Sequence, residues 1–471
     1  MKSLRAVILS TLLVPGGLLA NPPDGILDPG FGTDAVASAS FNLSANLVDR
    51  TYGMAVASSG RIYLAATVGM PVQGEHVERL GLIRFTASGQ LDNAFSGDGL
   101  SAPSLAAFGT QNLTAFGALV RADGKPLVYG VRHNLQARPK IVICRFAVAG
   151  NLDPSYDGDG CAEPTLALLD NGEEAALTAL SLPDERVLMG GLASTSPANP
   201  NARDALALML KDDGSVDTSF GTSGYVLLRP PGTQTRAQLM DLQRLPDGRF
   251  IVVGVSDAGL FVSRLSATGQ LDMQFGVNGY AKPGFADLHS LPQPRDWVRA
   301  SAVDSQGRIY VCGYVTYENS IYKSVMAFAR LTPNGTLDSS FSGDGRVLRP
   351  FIDVYPVSLV TDCALDGQGR LTVAVQTGTH TPLSNDFGAL RLLPNGSEDP
   401  SFGAIGQTRI PIDLGGNGIG QDDLAAMALV GDQILLAGTS YPDNSNGTAT
   451  GEVHTIVRLG SDRHFASGFE D

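Results

Sequence analysis

Apolar residues in this chain fall in short runs separated by turn signals, and long stretches with the 3.6-residue period of a helix are absent. Seven runs, Ile62 to Ala66, Pro126 to Gly130, Val187 to Gly190, Phe250 to Gly254, Ile309 to Gly313, Leu371 to Val375 and Ile434 to Gly438, are rich in branched residues, and each follows a tight polar turn. The turns carry Ser59-Gly60, Asp123-Gly124, Asp184-Glu185, Asp247-Gly248, Gln306-Gly307, Gln368-Gly369 and Gly431-Asp432. Asp-Gly between apolar runs is a strong hairpin signal, because glycine accepts the positive φ that a type I′ turn requires. A third run follows each hairpin, as in Leu82 to Thr86, Ile141 to Ala147 and Val325 to Leu331. A fourth, less regular one comes later, as in Ala37 to Leu43, Gly224 to Leu228 and Arg346 to Phe351. The pattern predicts units of about four antiparallel strands.

Between the third and fourth runs lies a recurring motif, fullest from Arg330 to Gly345 (RLTPNGTLDSSFSGDG). Its aspartates are Asp28, Asp92, Asp153, Asp217, Asp272, Asp338 and Asp399, with a worn copy at Asp462. An aromatic ring stands three residues after each, and the intervals are 64, 61, 64, 55, 66, 61 and 63 residues. Seven four-stranded units of about sixty residues predict an all-β fold, a seven-bladed β-propeller of antiparallel blades, because each small sheet has two apolar faces that only its neighbours can cover. The first motif precedes any complete unit, so the N-terminal strand is expected to complete the last blade.

The signature of Arg-Leu, a Gly turn, Leu-Asp, an aromatic residue and a Gly-rich end resembles the delta-60 repeat family of exported bacterial proteins, and it runs from residue 24 to 465. The resemblance implies a propeller-like fold; it carries no activity that transfers to particular residues.

Residues 1–20 read as a signal peptide: Lys2 and Arg5 supply the charged start, Ala6 to Val14 the apolar run and Leu18-Leu19-Ala20 the exit. The propeller is expected over 21–460, and 461–471 as a degenerate repeat end and tail. The protein is expected to be exported, to the periplasm or outside the cell. No stretch reaches the roughly 20 apolar residues of a membrane helix. Without Lys2 and Arg5 the 33 basic residues fall to 31 against 47 acidic ones, a net charge of −16. That balance argues against nucleic acid, whose phosphates need a basic face. Export also permits disulfides. Four cysteines allow three sets of pairs; the placement of Cys144 and Cys161 around one motif, and of Cys312 and Cys363 one repeat apart, favours those two pairs.

Candidate chemistry is sparse. Arg84, Arg145, Arg264, Arg330 and Arg391 stand eight residues before Asp92, Asp153, Asp272, Asp338 and Asp399, a spacing that strand reversal would turn into charge-assisted structural pairs. Met209 takes the Arg position in the third unit, and Arg458 stands only four residues before Asp462. Asp153, Asp157 and Asp159 form a weak calcium candidate that lacks the full loop pattern and its distal Glu; no other cofactor is expected. The six histidines share no motif, and Ser320 and Lys323 match a Ser-x-x-Lys spacing without its companions. Function should reside where the copies differ. The fifth unit holds the sole tryptophan, Trp297, in a long connection from Tyr280 to Arg299, with Tyr314, Tyr317 and Tyr322 around a polar insertion. Aromatic faces beside amides and carboxylates suit sugars or peptides. The expected role is therefore a non-enzymatic binding or structural module for a glycan or a protein surface. The competing reading is a glycan hydrolase or lyase with acidic residues at a central channel.

Overall fold

In a computed structural model, which describes residues 25–460 except 42, 44–48, 104, 135–136, 167, 169–171, 197, 200, 319, 352–356, 381–382, 413, 415–420 and 442–451, the short runs become seven antiparallel sheets around one axis. Blade 1 comprises Asp49–Val56, Ile62–Val72, Glu75–Phe85 and Leu100–Ser101, and blade 2 comprises Asn112–Val120, Pro126–Asn134, Ala137–Arg145 and Cys161–Ala162. Blade 3 is Glu174–Ser181, Val187–Ser194, Arg203–Leu210 and Tyr225–Leu228; blade 4 is Ala237–Arg244, Phe250–Ser256, Gly259–Leu265 and Tyr280–Ala281. Blade 5 is Arg295–Val303, Ile309–Tyr317, Ser320–Leu331 and Arg346–Arg349; blade 6 is Val357–Leu365, Leu371–His380, Leu383–Leu392 and Gln407–Ile410.

Blade 7 has Gln421–Val430, Gln433–Tyr441 and Val453–Gly460, and its outer strand comes from the other end of the chain. Val36–Ala39 runs antiparallel to it with Val36 opposite Val457 and Ala39 opposite His454, while Ile26–Leu27 pairs with Gly460 and Leu459. The first strands of successive blades pack side by side, that of blade 7 against that of blade 1, so the ring closes. Closure removes sheet edges that would otherwise recruit other chains. The buried apolar clusters each join two adjacent blades: Cys312, Phe328 and Phe341 of blade 5, for example, pack on Leu371, Val373 and Leu390 of blade 6.

The hairpin turns differ from the type I′ expectation. In five of the glycine-bearing turns, those of Gly60, Gly124, Gly248, Gly307 and Gly369, only the glycine has positive φ, for instance Gly60 at 80°, Gly124 at 80° and Gly248 at 86°, and its N–H donates to the carbonyl three residues back; in blade 7 Gly431, at 61°, instead opens a two-residue link between the paired Val430 and Gln433. The shared form is a type I turn closed by a glycine bulge, in which the aspartate accepts from the backbone beyond it: Lys125 N–H donates to Asp123 Oδ1 at 3.0 Å. In blade 3 a non-glycine, Glu185, adopts φ 69° at the same place.

Candidate functional site

Strands alternate in direction, so the turn after the first strand and the Asp motif after the third share one face of the ring. The loop after each second strand and the link into each next blade share the other. The repeated chemistry therefore sits on one face and the variable segments on the opposite one.

On the motif face, each aspartate caps its own turn and holds a cation. Asp338 Oδ1 accepts from the Ser340 N–H at 3.1 Å, and its Oδ2 lies 2.8 Å from Arg330 Nε. Arg84–Asp92 and Arg145–Asp153 are 2.9 Å apart, Arg264–Asp272 2.7 Å and Arg391–Asp399 2.8 Å. The guanidinium groups lie over the motif rings, 4.7 Å from the Phe95 centroid and 5.1 Å from that of Phe341. They also donate to carbonyls of the following blade, as Arg84 does to Val148 at 2.6 Å. Each ring is sealed beneath a turn of that blade: a Cβ on Gly335, whose φ is 84°, would stand 2.9 Å from Phe275. Glycine is required there both by backbone conformation and by the close approach. These cations and backbone caps hold the motif carboxyls of Asp92, Asp217, Asp272, Asp338 and Asp399 below the ordinary carboxylate range despite an opposing effect of burial.

Two irregular copies are resolved by topology. Met209 leaves Asp217 without its strand partner, and Arg186 from the hairpin turn takes its place at 2.9 Å. Arg458 pairs not with Asp462, which lies outside the described residues, but with Asp28 at 2.7 Å, because the N-terminal motif completes blade 7. Asp153 is engaged by both Lys125 at 2.8 Å and Arg145, Asp159 accepts from Cys161 N–H at 2.9 Å, and no cluster of three His, Cys, Asp or Glu suited to a metal occurs among the described residues. The calcium candidate thus has its first carboxylate, Asp153, committed to two cations. The disulfides are Cys144–Cys161, between neighbouring strands of blade 2, and Cys312–Cys363, which crosses from blade 5 to blade 6.

The variable face opens into the channel. Every first strand carries a β-bulge at the same level, between Thr51 and Gly53, Ala115 and Gly117, Ala176 and Thr178, Leu239 and Asp241, Val298 and Ala300, Val360 and Asp362, and Leu424 and Ala426. A bulge re-aims a side chain, and the seven bulged residues, Tyr52, Phe116, Leu177, Met240, Arg299, Thr361 and Ala425, all line one funnel of about 700 Å³. No residue type marks these positions, so sequence reasoning missed them. The rim adds Arg50, His133, Glu173, Gln376, Asp423 and Tyr441. Asp423 accepts from Gln376 at 3.1 Å, Gln421 at 3.2 Å and the Tyr441 hydroxyl at 3.2 Å. Burial and this carboxylate push the Tyr441 phenol well above its ordinary range. Glu173 is paired with Arg203.

Immediately after the bulges of blades 4 and 6 stand Asp241 and Asp362, both half-buried. Asp241 Oδ2 accepts from the Ser301 N–H and hydroxyl, both at 2.6 Å. Asp362 accepts from Met427 N–H at 3.1 Å and Cys363 N–H at 2.8 Å. Burial and the charge of Asp241 push the Asp362 carboxyl up to about 7. Burial first, and the charges of Asp241 and Asp362 after it, push the Tyr129 phenol above its ordinary range.

Trp297 lies not in a connection but on the first strand of blade 5, because the link into that blade ends at Arg295. Its indole stacks on Tyr314 with centroids 6.4 Å apart and donates to Thr316 Oγ1 at 3.2 Å. Tyr314 is buried in the core between blades 5 and 6 and offers no face to a ligand, whereas Tyr317 is half-buried. The Tyr322 side chain is outside the described residues. Trp297 borders a second cavity of about 720 Å³, lined also by Arg236, Gln238, Ser256, Asp257, Arg295 and Asp296. Gln238 lines the funnel as well, so the two spaces adjoin.

No described helix is long and apolar enough to cross a membrane. No curated protein matches the chain. Among solved structures, the Dos1 propeller is 8% identical, with a TM-score of 0.43 over 88% of this chain and 93% of that one. A protein of unknown function from Dyadobacter fermentans is 10% identical, with a TM-score of 0.41 over 92% and 100%. Prolyl oligopeptidase B from Galerina marginata is 12% identical, with a TM-score of 0.43 over 88% of this chain and 52% of that enzyme. Residues 305–341, from the hairpin turn of blade 5 to its motif aromatic, match the family model described as Domain of unknown function (DUF5122) beta-propeller.

Proposed function

We propose that the protein is an exported binding module of the delta-60 repeat type that takes a glycan or a protein surface on its variable face, over the channel mouth. The observation that carries this reading is the division of labour between the two faces. One is uniform and engaged in joining blades; on the other, the seven bulges present seven side chains of differing chemistry to a single funnel. Aromatic, cationic, amide and apolar groups on a rigid scaffold are what recognition of an extended surface needs. Binding is favoured over hydrolysis because the rim carboxylates are committed, Asp423 to three donors and Glu173 to Arg203. Export is supported by the apolar start of the chain and two closed disulfides. A glycan and peptide screen on residues 21–471 tests the proposal. A ligand should bind, and Tyr52→Ala or Phe116→Ala should weaken it about tenfold, a loss of roughly 1.4 kcal/mol, while each variant, although its ring also packs on a cluster between blades, still unfolds in one cooperative transition above the assay temperature. Binding that ignores both substitutions would refute the site.

A further inference from the structure

The cations of this acidic chain are mostly accounted for. Motif arginines are held by aspartates, and even exposed ones such as Arg249 fold back on a neighbouring carboxylate. Around the cavity between blades 4 and 5 the pattern reverses. Arg236, Arg295 and Arg299 are exposed, and none has a hydrogen-bond or ion-pair partner for its guanidinium among the described residues. The two acids in the same wall are the ones already engaged. Asp257 accepts from the N–H groups of Gln234 at 3.0 Å, Thr235 at 2.7 Å and Arg236 at 3.3 Å, and from the Thr235 hydroxyl at 3.0 Å. Asp296 accepts from Phe285 N–H at 3.0 Å. Asp257 is thus taken up by four donors and Asp296 by one, while the three guanidinium groups carry no partner among the described residues.

We propose that this cavity binds an anionic oligosaccharide, with Arg236 and Arg295 taking its carboxylate or sulfate groups, Trp297 contacting a sugar ring and Arg299 receiving the chain where the cavity meets the funnel. The proposal rests on the binding-module reading and specifies its ligand class. A planar guanidinium matches a carboxylate or sulfate through two parallel hydrogen bonds. The open part of the indole offers an apolar face for the C–H side of a sugar, while Gln238 and Ser256 supply amide and hydroxyl groups for its ring oxygens. The volume of about 720 Å³ is within the range of small-ligand sites. Its continuation at Gln238 into the funnel, past Tyr52 and Phe116, gives an extended polymer somewhere to run. Nucleic acid, the other common polyanion, would need a continuous basic track for its phosphates, and the arginines of this wall alternate with Asp257 and Asp296.

The test is titration calorimetry of the full mature chain with a short oligogalacturonate, the same oligomer methyl-esterified, a sulfated oligosaccharide and an acidic peptide. One of the two charged sugars should bind and so identify the anion. The esterified oligomer should bind at least about tenfold more weakly, as expected when charge-assisted hydrogen bonds are lost, and affinity should fall with added salt. Joint Arg236→Gln and Arg295→Gln substitution should cost at least as much, whereas Arg244→Gln, exposed at the far end of the same blade 4 strand as a charge control, should cost nothing. Equal binding of the ester, indifference to the double substitution, or preference for the acidic peptide would overturn this inference. A neutral ligand that binds at the funnel would also overturn it while leaving the module reading intact; no binding to any glycan or peptide would end both.

Discussion

Substituting Asp362→Asn should stabilise the protein in mild alkali and destabilise it in acid. In the folded ring this carboxyl is pushed from 3.8 to about 7 by burial first and by Asp241 second. Three pH units at about 1.4 kcal/mol each place on the order of 4 kcal/mol against the ionised folded form. The sign follows from linkage: the folded state holds this proton more tightly than the unfolded one, so the contribution is intact below the unfolded value of 3.8 and is lost as pH rises through about 7. Asparagine removes that loss. It also surrenders an acceptor, because Met427 and Cys363 donate to different oxygens and an amide retains only one, at a cost of about 1–3 kcal/mol. At pH 8 the variant should therefore gain about 1–3 kcal/mol, and at pH 4, where the folded carboxyl is already protonated and has no charge to remove, it should lose up to about 1–3 kcal/mol through the missing acceptor alone. Urea unfolding followed by the fluorescence of Trp297, the one tryptophan in the chain, reads both values. A difference of the same sign and size at pH 4 and pH 8 would refute the assignment of a proton to Asp362.

Two further substitutions probe the blade joints. Asp338→Ala strands the Arg330 guanidinium, whose side chain is 1% exposed, and should cost about 3–5 kcal/mol; Asp217→Ala frees Arg186, which is 31% exposed, and should cost about 1 kcal/mol beyond the shared loss of the turn cap. Urea midpoints that place the two variants together would contradict a buried latch. Of the disulfides, Cys312–Cys363 closes a separation of 51 residues and Cys144–Cys161 one of 17, so replacing the first pair by alanine should destabilise by about 4 kcal/mol and the second by about 3, with the reverse order of melting temperatures as the outcome that fails.

Blade number, strand count and ring closure were legible because each repeat meets the same physical demand. A ring at Phe95 or Phe341 must be sealed, a turn must reverse at positive φ, and a buried Arg must find a carboxylate, so residue types recur at constant spacing. What failed was non-local or left no residue signature. Arg458 looked mismatched with Asp462 because its partner, Asp28, is 430 positions away. The type I turn with a glycine bulge and the expected type I′ turn share the same Asp-Gly letters. Trp297 read as loop because its strand begins among charged residues, Arg295 and Asp296, where the blade meets solvent rather than core.

The seven bulges pose the deeper case. A strand announces itself by alternation, and a bulge breaks alternation by one residue, so Arg299 or Tyr52 looks like a slip in the pattern instead of a position that all blades share. The same freedom explains why the channel is where the chain can vary. Small side chains turned off the sheet into the axis, such as Thr361 and Ala425, belong to none of the buried interblade clusters, so replacing them costs the ring little, whereas replacing Phe341 opens a cavity between two blades. Stability thus constrains the motif face and leaves the funnel to recognition, which is why a repeat so readable for fold is silent about ligand.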